Sequence, residues 1–216
     1  MSNYDVILFD LDGTLTNSEL GITSCVSYAL NHFGIQVDDL SSLRKFIGPP
    51  LIDSFMQYYD FSREQAEEAV VKYRERFSTV GLFENELYPN IDVLLDKLKQ
   101  RGKLIATATS KAENFAVKFL EHFGIDGYFD EICGAEYNIN GNRNSKEDVI
   151  RYALNRMGVQ DLSSAVLVGD TKFDVEGAKA VGIDCVGVLY GFGDRDELKG
   201  SVAIAETVED LEKILL

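Results

Sequence analysis

Two aspartates two positions apart, Asp10 and Asp12, follow the apolar run Val6 to Phe9 directly, and Gly13 and Thr14 come next. Two carboxylates at the end of a strand, followed by a glycine that permits a sharp turn, place both acids at one rim with backbone N–H groups nearby. Three more groups fall at comparable positions. Thr109, Ser110 and Lys111 follow the apolar run that starts at Leu104, and Gly169, Asp170 and, one helical turn on, Asp174 follow the run that starts at Ala165; Lys146 opens the helical pattern before that run. Folded together, these stretches gather up to four carboxylates at one end of a sheet. Two unit charges about 4 Å apart repel by roughly 4 kcal/mol at an effective dielectric near 20, so the cluster requires a cation or a proton. With oxygen ligands only and no nearby His or Cys, the hard divalent ion expected is Mg²⁺, which keeps open positions for a phosphate oxygen.

The elements that must position these residues can be read from hydrophobic patterning. The runs VILF from Val6, LIATA from Leu104, AVLV from Ala165 and CVGVL from Cys185 are short and nearly continuous, as in strands buried on both faces. Helical patterns lie between them. Residues 90 to 101 precede Gly102, residues 112 to 123 precede Gly124, and residues 146 to 157 precede Gly158, each glycine in the position that ends a helix. Alternating strands and helices predict an α/β fold, a Rossmann-like parallel sheet with helices on both faces, whose ligands bind at the carboxyl ends of the strands. Between the first two runs the pattern changes. Ile22, Val26, Ala29, Leu30 and Phe33 recur at helical spacing before Gly34, and Ser62 with Gln65 forms a capping-box pattern ahead of Ala66, Ala69, Val70, Tyr73 and Phe77. Residues 17 to 83 are therefore expected to form an inserted all-helical cap, with residues 1 to 16 and 84 to 216 as the catalytic core.

Composition narrows the function. With 21 Lys and Arg against 36 Asp and Glu the net charge is −15, and there is no basic run, so nucleic acid and anionic membrane surfaces are excluded as extended partners. The same charge would at first sight repel a phosphorylated substrate. Asp10, Asp12, Asp170 and Asp174 are part of that excess, however, and they turn acidity at the strand ends into a demand for a metal. Cys25, Cys133 and Cys185 are odd in number and widely spaced, which predicts reduced thiols in a cytoplasmic protein; a signal peptide and a membrane span are not expected. A monomer or weak homo-oligomer is the default.

The order DLDGT, then a strand-end Thr-Ser, then Lys146, then GDTKFD resembles the haloacid dehalogenase-like superfamily, specifically its phosphatases with a helical cap inserted after the first motif. The resemblance covers essentially the whole chain. It implies that Asp10 is the nucleophile that takes up the phosphoryl group, and that Asp12 is the general acid and then the base that activates water. It implies that Thr109 and Lys146, with Ser110 beside them, hold the phosphoryl oxygens. It also implies Mg²⁺ ligation by Asp10, the Asp12 backbone carbonyl and Asp170, with Asp174 directly or through water. A small phosphorylated metabolite is the implied substrate. The stretch Arg44 to Pro50 is similar to the specificity loop of phosphoglycolate phosphatase-like enzymes, and the segment from Gly141 to Lys146 is similar to a subgroup of 5′-nucleotidases, so phosphoglycolate and nucleoside 5′-monophosphates lead. Arg44 is the candidate specificity residue.

Other readings stand beside these. Sugar phosphomutases of the β-phosphoglucomutase type share every motif named and differ in the cap, while a receiver-like or non-catalytic phosphate-binding module would lack GDTKFD or the paired acids. Asp174 could serve a helix N-terminus alone. Arg44 and Lys45 could form a solvated face, with Gly48, Pro49 and Pro50 breaking a helix. Lys111 and Lys172 are read as surface lysines, and His32 and His122 as structural. Asn90, where glycine is frequent after Pro89, is expected to tolerate a left-handed backbone.

Overall fold

The computed structural model describes residues 4–138 and 141–216. In chain order the strands and helices are β1 (Val6–Phe9), β2 (Thr16–Asn17), α1 (Glu19–His32), α2 (Leu51–Tyr59), α3 (Arg63–Phe77), β3 (Glu86–Leu87), α4 (Ile91–Gln100), β4 (Leu104–Thr107) and β5 (Thr109–Ala112). There follow α5 (Glu113–Phe123), β6 (Gly134–Ala135), α6 (Lys146–Arg156), β7 (Ala165–Gly169), α7 (Lys172–Val181), β8 (Asp184–Val188), β9 (Ala203–Ala205) and α8 (Val208–Leu215). Two compact units result: one of the residues up to Thr16 together with Leu87–Leu216, the other Asn17–Glu86.

The first unit is built on a five-stranded parallel sheet in the order β4-β1-β7-β8-β9, with helices on both sides. All four residues of β1 and all five of β7 are buried, which is why these stretches read as unbroken apolar runs. On one face Val6, Leu8, Ala106 and Leu167 meet Val149, Ile150 and Ala153 of α6 and Val175 and Ala178 of α7. The register sets the site. Phe9 is level with Thr107 on one side and Val168 on the other, so Asp10, Ala108 and Gly169 lie at the same height. After β1 the sheet grows to one side through β4 and to the other through β7, and a crevice opens at the carboxyl ends where such a reversal occurs.

A second layer of short strands extends this rim. β5 runs parallel to β6, and the Thr107 hydroxyl joins the two segments by accepting from the Cys133 N–H at 2.7 Å and donating to the Cys133 carbonyl at 2.8 Å. Asn90 has φ 69° ahead of α4, as its side chain allows. Among the described residues no helix is long and apolar enough to cross a membrane.

The second unit is helical. α1 turns its buried Ile22, Val26, Ala29 and Leu30 inward, and α3 does the same with Ala66, Ala69, Val70, Tyr73 and Phe77. The capping box at Ser62 and Gln65 is formed in both directions. Phe46, Phe55 and Phe61 pack with ring centroids 5.0 and 5.9 Å apart, and His32 pairs with Glu68 at 2.8 Å. Gly48, Pro49 and Pro50 separate the short helical turn Leu40–Phe46 from α2. The prolines precede α2, because a proline's missing N–H and fixed φ suit the residues that open a helix.

Candidate active site

Asp10, one residue past β1, is 5 % exposed, and Asp170, one residue past β7, is fully buried. Asp174 lies in the first turn of α7, also fully buried, and its Oδ2 accepts from the N–H and the hydroxyl of Thr171 at 3.1 and 3.0 Å. One oxygen from each of these three acids falls within 4.8 Å of the others. Lys146, at the start of α6, projects into the group: its Nζ is 3.0 Å from Asp10 Oδ1, 2.8 Å from Asp174 Oδ1 and 3.1 Å from the carbonyl oxygen of Ala108. A single ammonium thus ties α6 to the ends of two strands.

Two glycines make that arrangement possible. A Cβ on Gly177 of α7 would lie 2.6 Å from Lys146 Cγ, so the absence of a side chain there lets α6 and α7 approach closely enough for Lys146 to reach Asp174. Gly13, at φ 83°, turns the chain after Asp12, and a Cβ in its place would collide with the Asp170 carboxylate. Asp170 is held from both sides. The Phe192 N–H donates to its Oδ2 at 2.8 Å, and the Thr14 hydroxyl lies 3.4 Å from its Oδ1.

Burial dominates the electrostatics. It raises the Asp10 carboxyl from 3.8 to about 6; the ammonium of Lys146 and a hydrogen bond from Thr109 pull it down, while Asp174 and Asp12 push it up. Burial likewise raises Asp170 well above the ordinary range, reinforced by Asp174 and then Asp10. For Lys146 burial disfavours the charge, but Asp10 and Asp174 outweigh it and the pKa rises, so Lys146 is an ammonium at any working pH.

Asp12 has a separate partner. Its Oδ2 is 2.9 Å from Nζ of Lys111, whose side chain is only 4 % exposed and whose Nζ lies 5.6 Å from the centre of the Phe119 ring. Lys111 is therefore not the surface lysine the sequence reading expected; Lys172 is exposed. A usable signal existed. Lys111 stands two residues after Thr109, in a strand-end stretch that the sequence already marks as part of the site. The holding of Asp170 by the loop after β8 was also missed, although Gly191 and Gly193 in LYGFG mark a tight turn at that strand end.

Thr109 is buried on β5, within hydrogen-bond reach of Asp10. Ser110 is half-buried and outside the network of ion pairs. Arg44 belongs to the helical unit, where its Nε meets Glu19 Oε1 at 2.6 Å with the side chain 60 % exposed.

The donor set fits a hard divalent cation. Asp10 Oδ1 and Asp174 Oδ1 are buried and, apart from the Lys146 ammonium, unpartnered. With every group ionised, Asp10, Asp12, Asp170 and Asp174 against Lys111 and Lys146 leave a charge of −2, which one such ion balances.

Comparison with known proteins agrees with this chemistry. A family model described as haloacid dehalogenase-like hydrolase matches residues 7–188. The chain is 45 % identical over 196 residues to a 5′-nucleotidase of Pseudomonas aeruginosa, covering 91 % of this chain and 87 % of that one. It is 40 % identical over 214 residues to the tyrosine-protein kinase PtkA of Mycobacterium tuberculosis, covering 97 % and 72 %. A crystal structure of a predicted phosphatase from Clostridium acetobutylicum superposes with a TM-score of 0.95 at 47 % identity, covering 99 % of both chains.

Proposed function

We propose, on the premise that the chain belongs to the haloacid dehalogenase-like hydrolases, that it is an Mg²⁺-dependent phosphomonoesterase for nucleoside 5′-monophosphates that carries the phosphoryl group on Asp10. The observation that carries this reading is the buried Asp10 carboxylate beside Lys146, at the edge of an acid cluster with a residual negative charge. A free carboxylate and a phosphate dianion repel each other, so a nucleophilic aspartate is competent only where fixed positive charge offsets that repulsion.

Asp10, Asp170 and Asp174, with the Asp12 backbone carbonyl, would hold Mg²⁺, which when bound neutralises charge on the transferred phosphoryl group. In the first half-reaction an Asp10 oxygen forms a bond to phosphorus while the P–O ester bond breaks, and the departing alkoxide takes a proton from Asp12. Lys146 and Thr109 stabilise the phosphoryl oxygens as charge shifts. In the second half-reaction Asp12 takes a proton from water, which displaces Asp10 from phosphorus. Asp12 thus ends in its starting protonation state, and inorganic phosphate leaves.

The 5′-nucleotidase relative supports nucleoside monophosphates over phosphoglycolate, and Arg44 is the residue of the helical unit proposed to select among them. The kinase name of a second relative supports one further reading, in which a hydroxyl acceptor replaces water in the second half-reaction. The test is phosphate release from nucleoside 5′-monophosphates, phosphoglycolate, glucose 1-phosphate and p-nitrophenyl phosphate, with Mg²⁺ or with EDTA. Hydrolysis abolished by EDTA and by Asp10→Asn supports the proposal. Activity indifferent to both refutes it, substrate conversion without phosphate release favours a mutase, and transfer to an added hydroxyl compound at the expense of phosphate favours the kinase-like reading.

A further inference from the structure

Lys111 is a lysine at the strand ends that the mechanism above leaves without a task. Its side chain is as buried as that of Lys146, and its Nζ meets Asp12 Oδ2 at 2.9 Å. The other oxygen, Asp12 Oδ1, is buried and has no hydrogen-bond partner. An orphaned buried carboxylate oxygen costs stability unless something is meant to arrive there. Thr109 and Lys111 share β5, and the Thr109 hydroxyl accepts from the Lys111 N–H at 3.2 Å. The strand that brings Thr109 to Asp10 therefore also brings Lys111 to Asp12.

We infer that Lys111 is the positioning residue of Asp12: it pins Oδ2 and leaves Oδ1 as the oxygen that carries the proton to the leaving group. The inference rests on the phosphomonoesterase reading. In the step concerned, the Asp10 oxygen bonds to phosphorus and the ester P–O bond breaks with its electron pair on the leaving oxygen. That oxygen receives the proton from Asp12 Oδ1, which becomes a carboxylate oxygen while Oδ2 stays against Lys111. Freed from Lys111, the Asp12 side chain can rotate about its terminal torsion, which is broad for a carboxylate, and no single oxygen faces the leaving group.

Leaving groups provide the test, because an alkoxide needs the proton and p-nitrophenolate does not. Wild type, Lys111→Met, Lys111→Arg, Asp12→Asn and the double variant are assayed on a nucleoside 5′-monophosphate and on p-nitrophenyl phosphate. The quantity compared is kcat/KM, which reports only the steps through release of the alcohol. Lys111→Met is expected to lose about a hundredfold on the alkyl ester and at most a few-fold on the aryl ester, within the range of general acid catalysis. KM should be nearly unchanged. Lys111→Arg, which keeps a donor at Oδ2, should restore most of the difference, and the double variant should be no worse than Asp12→Asn. Equal losses on the two esters would overturn the inference. So would a raised KM at intact kcat, which would make Lys111 a phosphate ligand. If Lys111→Met does not fold, Lys111→Gln is judged by the same ratio. Wild type that hydrolyses neither ester would instead overturn the phosphomonoesterase reading itself.

Discussion

Replacing Asp10 by Asn removes one negative charge from the acid cluster at nearly constant volume, and without metal this should stabilise the protein near neutral pH. The folded-state carboxyl titrates at about 6, against 3.8 ordinarily, because burial opposes its ionisation. Between those values the folded chain retains a proton that the unfolded chain has lost. Stability therefore falls as pH rises through this window, by about 1.4 kcal/mol per pH unit or about 3 kcal/mol in all. Below the window wild type has that stability in full; above it the contribution is gone. The Asp10→Asn variant, with no carboxyl to titrate at this position, has no such slope. Unfolding by urea in EDTA, followed across the window by circular dichroism, should find the variant up to about 3 kcal/mol more stable above about pH 6 and the difference closing toward about pH 4. Mg²⁺ at about a thousand times its Kd should reverse the order, since a ligand at that excess contributes about 4.1 kcal/mol to the form that binds it. A gap that ignores pH, or equal stabilisation of both proteins by Mg²⁺, would refute the reasoning.

Three more outcomes follow from the same contacts. Lys146→Met leaves Asp10 and Asp174 without their shared ammonium and should cost about 3–5 kcal/mol in EDTA by chemical denaturation, with part of it recovered in Mg²⁺. Gly177→Ala pushes a methyl group against the Lys146 stem and should cost about 1–3 kcal/mol, with kcat falling at least tenfold in steady-state assays. Arg44→Ala removes an exposed, solvent-screened ion pair, so its thermal unfolding should barely move while KM for the preferred nucleotide rises. Unchanged kinetics would remove Arg44 from substrate selection.

The strands were legible because they are buried on both faces: VILF and AVLV carry no polar residue, and the first residues beyond them are Asp10 and, after Gly169, Asp170. Helix ends were legible where glycine adopts positive φ, at Gly34, Gly124 and Gly158. Other elements left weaker traces. α2 is short and opens directly after two prolines, and β5, β6 and β9 are short, with residues such as Thr109, Ser110 and Lys111 that no hydrophobic period reveals. Lys111 was misread for the same reason, since a lysine is assigned to the surface until a partly buried carboxylate is known to face it. The contacts that seat Asp170 come from a backbone N–H at Phe192, and main-chain donors are invisible to side-chain motifs.

Asp10 is proposed to carry the phosphoryl group and Asp12 to govern its release. Acid-quenched Asp12→Asn protein, incubated with Mg²⁺ and p-nitrophenyl phosphate, whose leaving group needs no proton, should show one phosphoryl group on the peptide containing Asp10 by mass spectrometry. Asp12→Asn combined with Asp10→Asn should show none. A phosphoryl group on another residue, or phosphate release that continues after Asp10→Asn, would contradict the account.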